Sequence, residues 1–183
     1  NFLLAFGMAY YSELYDLESL KSNIKTLKNP PGRFQELGID EKSIIVDYSH
    51  TPDAIEKVIC YTKELYQNEI IVVFGAGGNR DKSKRKLMGE ASQFANKIII
   101  TNDNPRNENP MEIAKDILAG IDLQKDAKII LDRRDALEEA ISFLNEKTTL
   151  LVLGKGHEKY QEIGDRIMDF DDAVVIKDIL GKR

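Results

Sequence analysis

Five short apolar runs constrain this chain more than any other feature, because each is followed by a polar loop and then a helical pattern. The runs are Ser43–Tyr48, Ile70–Phe74, Lys97–Thr101, Lys128–Leu131 and Thr149–Leu153. They are rich in Ile, Val and Leu and do not alternate with polar residues, so each is expected to be a strand buried on both faces. Amphipathic stretches with start signals lie between them. Thr51-Pro52 opens one, with Ile55, Val58, Ile59, Thr62 and Leu65 on one face. A second runs from about Lys84 to Ala95. Asn109-Pro110-Met111-Glu112 opens a third, facing inward with Ile113, Ala114, Ile117 and Leu118 and stopping at Gly120. Asp132 opens a fourth, with Ala136, Leu137, Ala140, Ile141 and Leu144 inward, and a last helix spans Asp171–Leu180. The starts combine a capping side chain with, in two cases, a proline whose missing N–H costs nothing in the first turn. Tyr160–Met168 shows no clear period.

Strands of this kind alternating with helices dictate an α/β fold, Rossmann-like, with a mostly parallel sheet flanked by helices. Residues 1–30 differ. They read as one or two helices and a Lys-rich connector ending in Asn29-Pro30-Pro31-Gly32, a linker signal, so the main compact unit is expected over 31–183. Asn1 in place of Met reads as a start inside an element. The net charge of −5 argues against a nucleic-acid partner. No run approaches the ~20 apolar residues of a membrane span, so no membrane is expected and the location is read as cytoplasmic. Cys60 is the single cysteine, which excludes an internal disulfide and is expected to be a small core residue.

In open parallel sheets, ligands bind beyond the carboxyl ends of the strands. Four unusual loops fall there: Asp47-Tyr48-Ser49-His50-Thr51-Pro52-Asp53, Gly75-Ala76-Gly77-Gly78-Asn79-Arg80-Asp81-Lys82, Asp103-Asn104-Pro105-Arg106 and Gly154-Lys155-Gly156-His157-Glu158. Each alone is compatible with turn chemistry, and Asp-Asn-Pro is a good turn. Together they are better explained by a polar ligand pocket. A dinucleotide fingerprint fails because Arg80 stands where its third glycine is required, and Gly154–His157 lacks phosphate-loop spacing. His50 and His157 without cysteines or spaced acids make a zinc site improbable, so no metal ligand is assigned. Lys82, Lys84, Arg85 and Lys86 oppose the dipole of the helix they begin, which calls for an anionic partner. Arg80 and Arg106 can each grip a carboxylate or phosphate, while Asp103 and Glu158 can accept from ammonium groups. Such a rim suits a zwitterion with extra charged ends.

With Pro31-Gly32-Arg33 ahead of them and Tyr160-Gln161 behind, these motifs resemble, in order, the C-terminal domain of the Mur ligases, most closely the branch that makes UDP-N-acetylmuramoyl-tripeptide. The resemblance covers nearly the whole chain. It implies an ATP- and Mg2+-dependent ligase of peptidoglycan synthesis. There the D-glutamate carboxylate of UDP-MurNAc-L-Ala-D-Glu becomes an acyl phosphate, and the amine of a third amino acid attacks it. Asp-Asn-Pro-Arg accompanies meso-diaminopimelate in this family, and Arg106 is a sensible clamp for that ligand's far carboxylate. A lysine-adding or folylpolyglutamate synthetase-type ligase is the alternative.

By motif position the resemblance implies substrate binding by Arg80, Asp103, Asn104, Arg106, Gly154 and Glu158, and nucleotide binding by Asn1, Arg33, Asp47 and His50. Ala76, Asn79, Ser83 and Lys86 depart from the residues frequent in the family. The phosphate loop and magnesium ligands of the family belong to a central domain, of which residues 1–30 resemble the tail. The expected partners are therefore the central and N-terminal domains of the same protein, and the chain alone is expected not to ligate.

Overall fold

The computed structural model describes residues 2–24, 26–38 and 43–181. The chain divides into two units, Asn1–Pro30 and Pro31–Arg183. The first holds α1 (Phe2–Tyr11) and α2 (Leu17–Ile24). Asp16 starts α2, accepting hydrogen bonds from the Ser19 backbone N–H at 2.8 Å and the Ser19 hydroxyl at 2.7 Å.

The second unit runs β1 (Gln35–Glu36), β2 (Ser43–Asp47), α3 (Pro52–Tyr66), β3 (Glu69–Phe74), α4 (Ser83–Ser92), β4 (Lys97–Ile100), α5 (Pro110–Leu118), β5 (Asp126–Ile129), α6 (Arg133–Ser142) and β6 (Thr148–Leu153). A hairpin, β7 (Tyr160–Ile163) and β8 (Arg166–Asp169), precedes α7 (Asp172–Gly181). The six-stranded sheet has the order β1-β2-β6-β3-β4-β5. β1 is antiparallel to β2, and every other pairing in this sheet is parallel.

Both faces of the sheet are covered, which explains the unbroken apolar runs. Ile70, Val72 and Phe74 of β3 pack with Ile55 and Ile59 of α3, Met88 of α4 and Ile113 of α5. The intervening Ile71 and Val73 pack on the other face with Leu137 and Ile141 of α6 and Ile176 of α7. Burying each of these aliphatic side chains contributes on the order of 1.5–3 kcal/mol before chain entropy is set against it. The caps are as the sequence predicts. Thr51 Oγ1 accepts from the Ala54 N–H, Asn109 from Met111, and Asp132 from Arg134 and Asp135.

Five local expectations need correction, one of them Leu118 of α5, which is exposed because the helix buries only Ile113, Ala114 and Ile117. Cys60 is exposed on α3, not in the core, and Leu65 is exposed as well. Only Ile55, Val58, Ile59 and Thr62 of that helix are buried, so the stripe ends a turn earlier than the pattern suggests. β5 ends at Ile129, before the predicted Leu131, because it is an edge strand with one neighbour and a half-exposed, alternating pattern. Tyr160–Met168 is not irregular; most of it is the β7–β8 hairpin.

The strand order sets the position of the polar loops. The chain crosses from β2 to β3 over the place later filled by β6, so β2, β6, β3 and β4 lie side by side. These are the four strands whose carboxyl ends carry the unusual sequences, so all four loops emerge on one rim.

Candidate functional site

The four loops enclose a cavity of about 430 Å³. Arg80, Asp103, Asn104, Arg106, Gly154 and Glu158 all line it, so the six expected substrate-binding residues come together. His50, Lys84 and Arg85 line it too. Two close backbone approaches keep the loops in register. Gly154 has φ +104, and a Cβ there would come within 2.7 Å of Asp103 Oδ2. A Cβ on Gly78 would come within 1.9 Å of the Pro105 carbonyl oxygen, so only glycine allows these two loops to touch.

Asp103 is buried, and among the described residues no hydrogen bond reaches its carboxylate. Burial pushes its pKa above the ordinary aspartate value, against the opposing pull of Arg133 and Lys155. An ammonium group arriving in the cavity would supply the partner this carboxylate lacks. Asn104 is held in one amide orientation. Its Oδ1 accepts from Lys155 Nζ at 3.2 Å and from the Glu162 N–H at 3.0 Å, and its Nδ2 donates to Glu158 Oε2 at 2.9 Å. Lys155 is fully buried and also meets Glu158 Oε2 at 3.4 Å.

Arg106 has φ +51, a left-handed conformation fixed by the hairpin. Its N–H donates to the Glu162 carbonyl at 3.1 Å, and the Gly164 N–H donates to the Arg106 carbonyl at 2.7 Å. Its Nε meets Glu162 Oε2 at 3.0 Å, and its Nη1 donates to the Gly78 carbonyl at 2.9 Å. No described residue accepts from Nη2, which leaves that end of the fork for a ligand anion. Arg80 is exposed at the cavity and forms no ion pair with a described residue.

The basic run at the start of α4 has its anionic partner inside the protein. Arg85 is 2% exposed and pairs with Glu108 Oε1 at 2.9 Å and Asp116 Oδ2 at 3.0 Å. Lys82 meets the other oxygen of Glu108 at 3.1 Å. The Arg85 guanidinium, the Asn79 N–H and Lys82 together hold the Glu108 carboxyl down to about 2. Glu108 was not recognisable as a site residue from the sequence, although the opposed dipole signalled that some acid had to be there.

The expected nucleotide-binding residues are placed differently. His50 lines the cavity, with Nδ1 2.8 Å from the Tyr48 carbonyl oxygen. Arg33 stacks its guanidinium 4.7 Å from the centre of the Tyr48 ring. Tyr48 also meets the rings of His50 at 4.7 Å and His157 at 5.2 Å, giving an aromatic and cationic shelf beside the cavity. Asp47 is not among the residues that line the cavity. It accepts from the Phe34 N–H at 2.7 Å and the Ser49 N–H at 2.8 Å and so ties the segment after Pro31 to β2. Asn1 lies outside the described residues. Tyr48, Lys155, Glu162 and Arg133 were missed by sequence reasoning. Arg133 carried a usable signal, because it is another cation in the first turn of a helix.

Residues 32–156 match the family model described as "Mur ligase, glutamate ligase domain". The chain belongs to the Mur ligase family. Among curated Mur ligase relatives it is similar to the UDP-N-acetylmuramoyl-L-alanyl-D-glutamate–2,6-diaminopimelate ligase of Aquifex aeolicus, with 50% identity over 155 residues, 84% of this chain and 32% of that protein. A solved structure of a ligase of the same name is 38% identical, with a TM-score of 0.79 over 96% of this chain and 36% of that one. A bifunctional folylpolyglutamate synthase/dihydrofolate synthase from Yersinia pestis, solved with AMPPNP and a manganese ion, shares the fold at 20% identity and a TM-score of 0.62. It covers 82% of this chain and 34% of that one. The chain thus spans about a third of the length of the Mur ligases it matches. No helix among the described residues is long and apolar enough to cross a membrane.

Proposed function

We propose that this chain is the amino-acid-binding part of an ATP-dependent ligase that adds meso-diaminopimelate to UDP-MurNAc-L-Ala-D-Glu in cytoplasmic peptidoglycan synthesis. The observation that carries the reading is the pairing of charges in one cavity. Arg80 and Arg106 offer two cationic groups, and Asp103 and Glu158 two anionic ones. Diaminopimelate has two carboxylates and two ammonium groups, and lysine has only one carboxylate. The Nη2 end of Arg106 takes the far carboxylate, Arg80 takes the other, and the unpartnered Asp103 takes the far ammonium group. Glu158 orients Asn104 as a donor. The relatives' names, which specify 2,6-diaminopimelate, support the same choice.

In the reaction, the near ammonium group gives one proton to water, the resulting amine attacks the acyl carbon of the activated D-glutamate, and its second proton leaves with the phosphate. A C–N bond forms, the C–O bond to phosphate breaks, and inorganic phosphate leaves with the electron pair. This chain's part is to hold the amine still and in place. The shelf of Tyr48, His50, His157 and Arg33 suits a purine and its phosphates, so ATP is assigned to that side, with Arg33, Asp47 and His50 as its neighbours. Among the described residues there is no group of three or more His, Cys, Asp or Glu side chains able to hold a metal ion. Residues 1–30 are assigned to the tail of the central ATP-binding domain, which with the N-terminal domain completes the active site. The isolated chain is accordingly expected to show no amino-acid-dependent ATP turnover.

The test is amide formation by the complete ligase carrying this chain, given diaminopimelate or lysine in turn. Strong preference for diaminopimelate, lost in Arg106→Ala, supports the assignment. A clear preference for lysine rejects it.

A further inference from the structure

Beneath the rim lies a charge pair that the proposed chemistry does not touch. Arg133, at the first position of α6, and Asp172, at the first position of α7, are both fully buried. Arg133 Nε donates to Asp172 Oδ1 at 2.8 Å and Nη2 donates to Oδ2 at 2.8 Å, a two-pronged pair. Two of the three remaining N–H groups go to backbone carbonyls, Nη1 to Asn102 at 3.3 Å and Nη2 to Leu153 at 3.1 Å. Those two residues immediately precede Asp103 and Gly154 in the chain. Gly154 in turn lies against the Asp103 carboxylate, so one guanidinium anchors both loops that frame this acid.

A helix–helix staple would need only the two side chains. The extra bonds to Asn102 and Leu153 place the cation under the site, where water does not screen it. We infer that Arg133 is a positioning residue of the site, which pins the two loops at their roots and supplies the buried positive charge that balances Asp103. The inference deepens the proposed reading of Asp103 as an ammonium acceptor and rests on it for its functional meaning. Asp172 tempers the effect, since its negative charge opposes that of Arg133. Four charged groups act on Asp103 from the surrounding elements: Arg133 of α6, Lys155 and Glu158 of the loop after β6, and Asp172 of α7. Arg106 and Arg80 share its cavity. Burial pushes the Asp103 carboxyl up, while Arg133 and Lys155 draw it down and Glu158 and Asp172 raise it again.

Opposite signs make the inference testable without any ligand. Side-chain carboxyl carbons of the 183-residue chain are titrated by NMR, with Asp103 assigned from the Asp103→Asn spectrum. In Arg133→Met, Asp103 should titrate higher than in the parent, because a positive charge that favours its ionised form is gone. In Asp172→Asn it should titrate lower, because Arg133 then acts unopposed. The neutral double variant Arg133→Met/Asp172→Leu replaces a buried ion pair by apolar groups, a change that proteins often tolerate. It covers the case where Arg133→Met does not fold, and in it Asp103 should still titrate above the parent. Shifts of the same sign in the two single variants, or no shift in folded protein, would overturn the inference and leave Arg133 as a structural staple. Calorimetry with meso-diaminopimelate on the same samples separates the two readings. Opposite shifts with no binding at any pH would reject the assigned ligand while leaving the role of Arg133 intact.

Discussion

The two ends of the sheet carry cavities of nearly the same size and opposite character. The one at the carboxyl ends holds about 430 Å³ and is lined by four arginine and lysine side chains together with Asp81, Asp103 and Glu158. The one at the amino ends holds about 410 Å³ and is lined by Glu36, Tyr66, Asn68, Asn145 and Glu146 among small and apolar residues, with no cation among the described residues. Polar groups at the amino end satisfy one another. The Tyr66 hydroxyl donates to Glu36 at 2.7 Å, and burial and that bond push it up to about 12. Asn68 Nδ2 donates to Thr149 Oγ1 at 3.2 Å. At the carboxyl end, among the described residues, no hydrogen bond or ion pair reaches the Asp103 carboxylate, Arg80 or Nη2 of Arg106, while Asn104, Lys155 and Glu158 Oε2 are tied to one another and Glu162 to Asn104 and Arg106. Volume is therefore a poor guide to function here. The informative difference is a set of charges left incomplete inside a rigid frame.

The largest effect expected from breaking this contrast comes from Arg106→Ala. It should weaken diaminopimelate use by about 2–5 kcal/mol, as for loss of one partner of a desolvated charge pair. Lysine use should change far less, and kinetic constants of the complete ligase check both. Asp103→Asn should come next, with opposite signs in two measurements. Ligand binding should fall, while thermal stability at neutral pH should rise by about 0.5–2 kcal/mol. The sign follows from linkage. Folding raises the Asp103 pKa, so the folded state holds its proton more tightly. Stability is then lost as pH rises above the unfolded value, and removing the charge restores it. Melting curves at several pH values would show the gap between parent and variant widening with pH.

Glu108→Gln probes the frame and not the ligand. The Glu108 carboxyl is held down to about 2 from an ordinary 4.5, so its contribution is full above that ordinary value and disappears as pH falls through about 2. The parent should therefore outlast the variant at neutral pH, and acid melting curves should converge. The smallest effect belongs to the other cavity. Glu146→Ala should change stability by no more than about 0.5 kcal/mol and leave ligand titrations untouched. A matching loss of binding there would erase the contrast between the two ends.

Much of the carboxyl-end cavity was legible in the sequence, for a specific reason. Parallel strands put their loops on one rim, so four odd loops in one chain had to converge once the strands were recognised. The unbroken Ile and Val runs made that recognition safe. Residues acting through long-range contacts stayed hidden. Lys155 and Glu162 hold Asn104 from positions more than fifty residues away, and nothing in local pattern announces such a bond. Tyr160–Met168 defeated period counting because its register comes from pairing between two four-residue strands and from Arg106, not from a core-facing stripe. Cys60 is expected inward because a lone cysteine among apolar residues is usually a core residue, and Leu65 because the pattern carries the buried stripe one turn past Thr62.

Calorimetric titration of the chain with meso-diaminopimelate and, separately, with lysine tests the central claim most directly. The account predicts binding of diaminopimelate that is lost in Arg106→Ala and much weaker binding of lysine. Equal binding of the two amino acids, or diaminopimelate binding that survives Arg106→Ala unchanged, would contradict it.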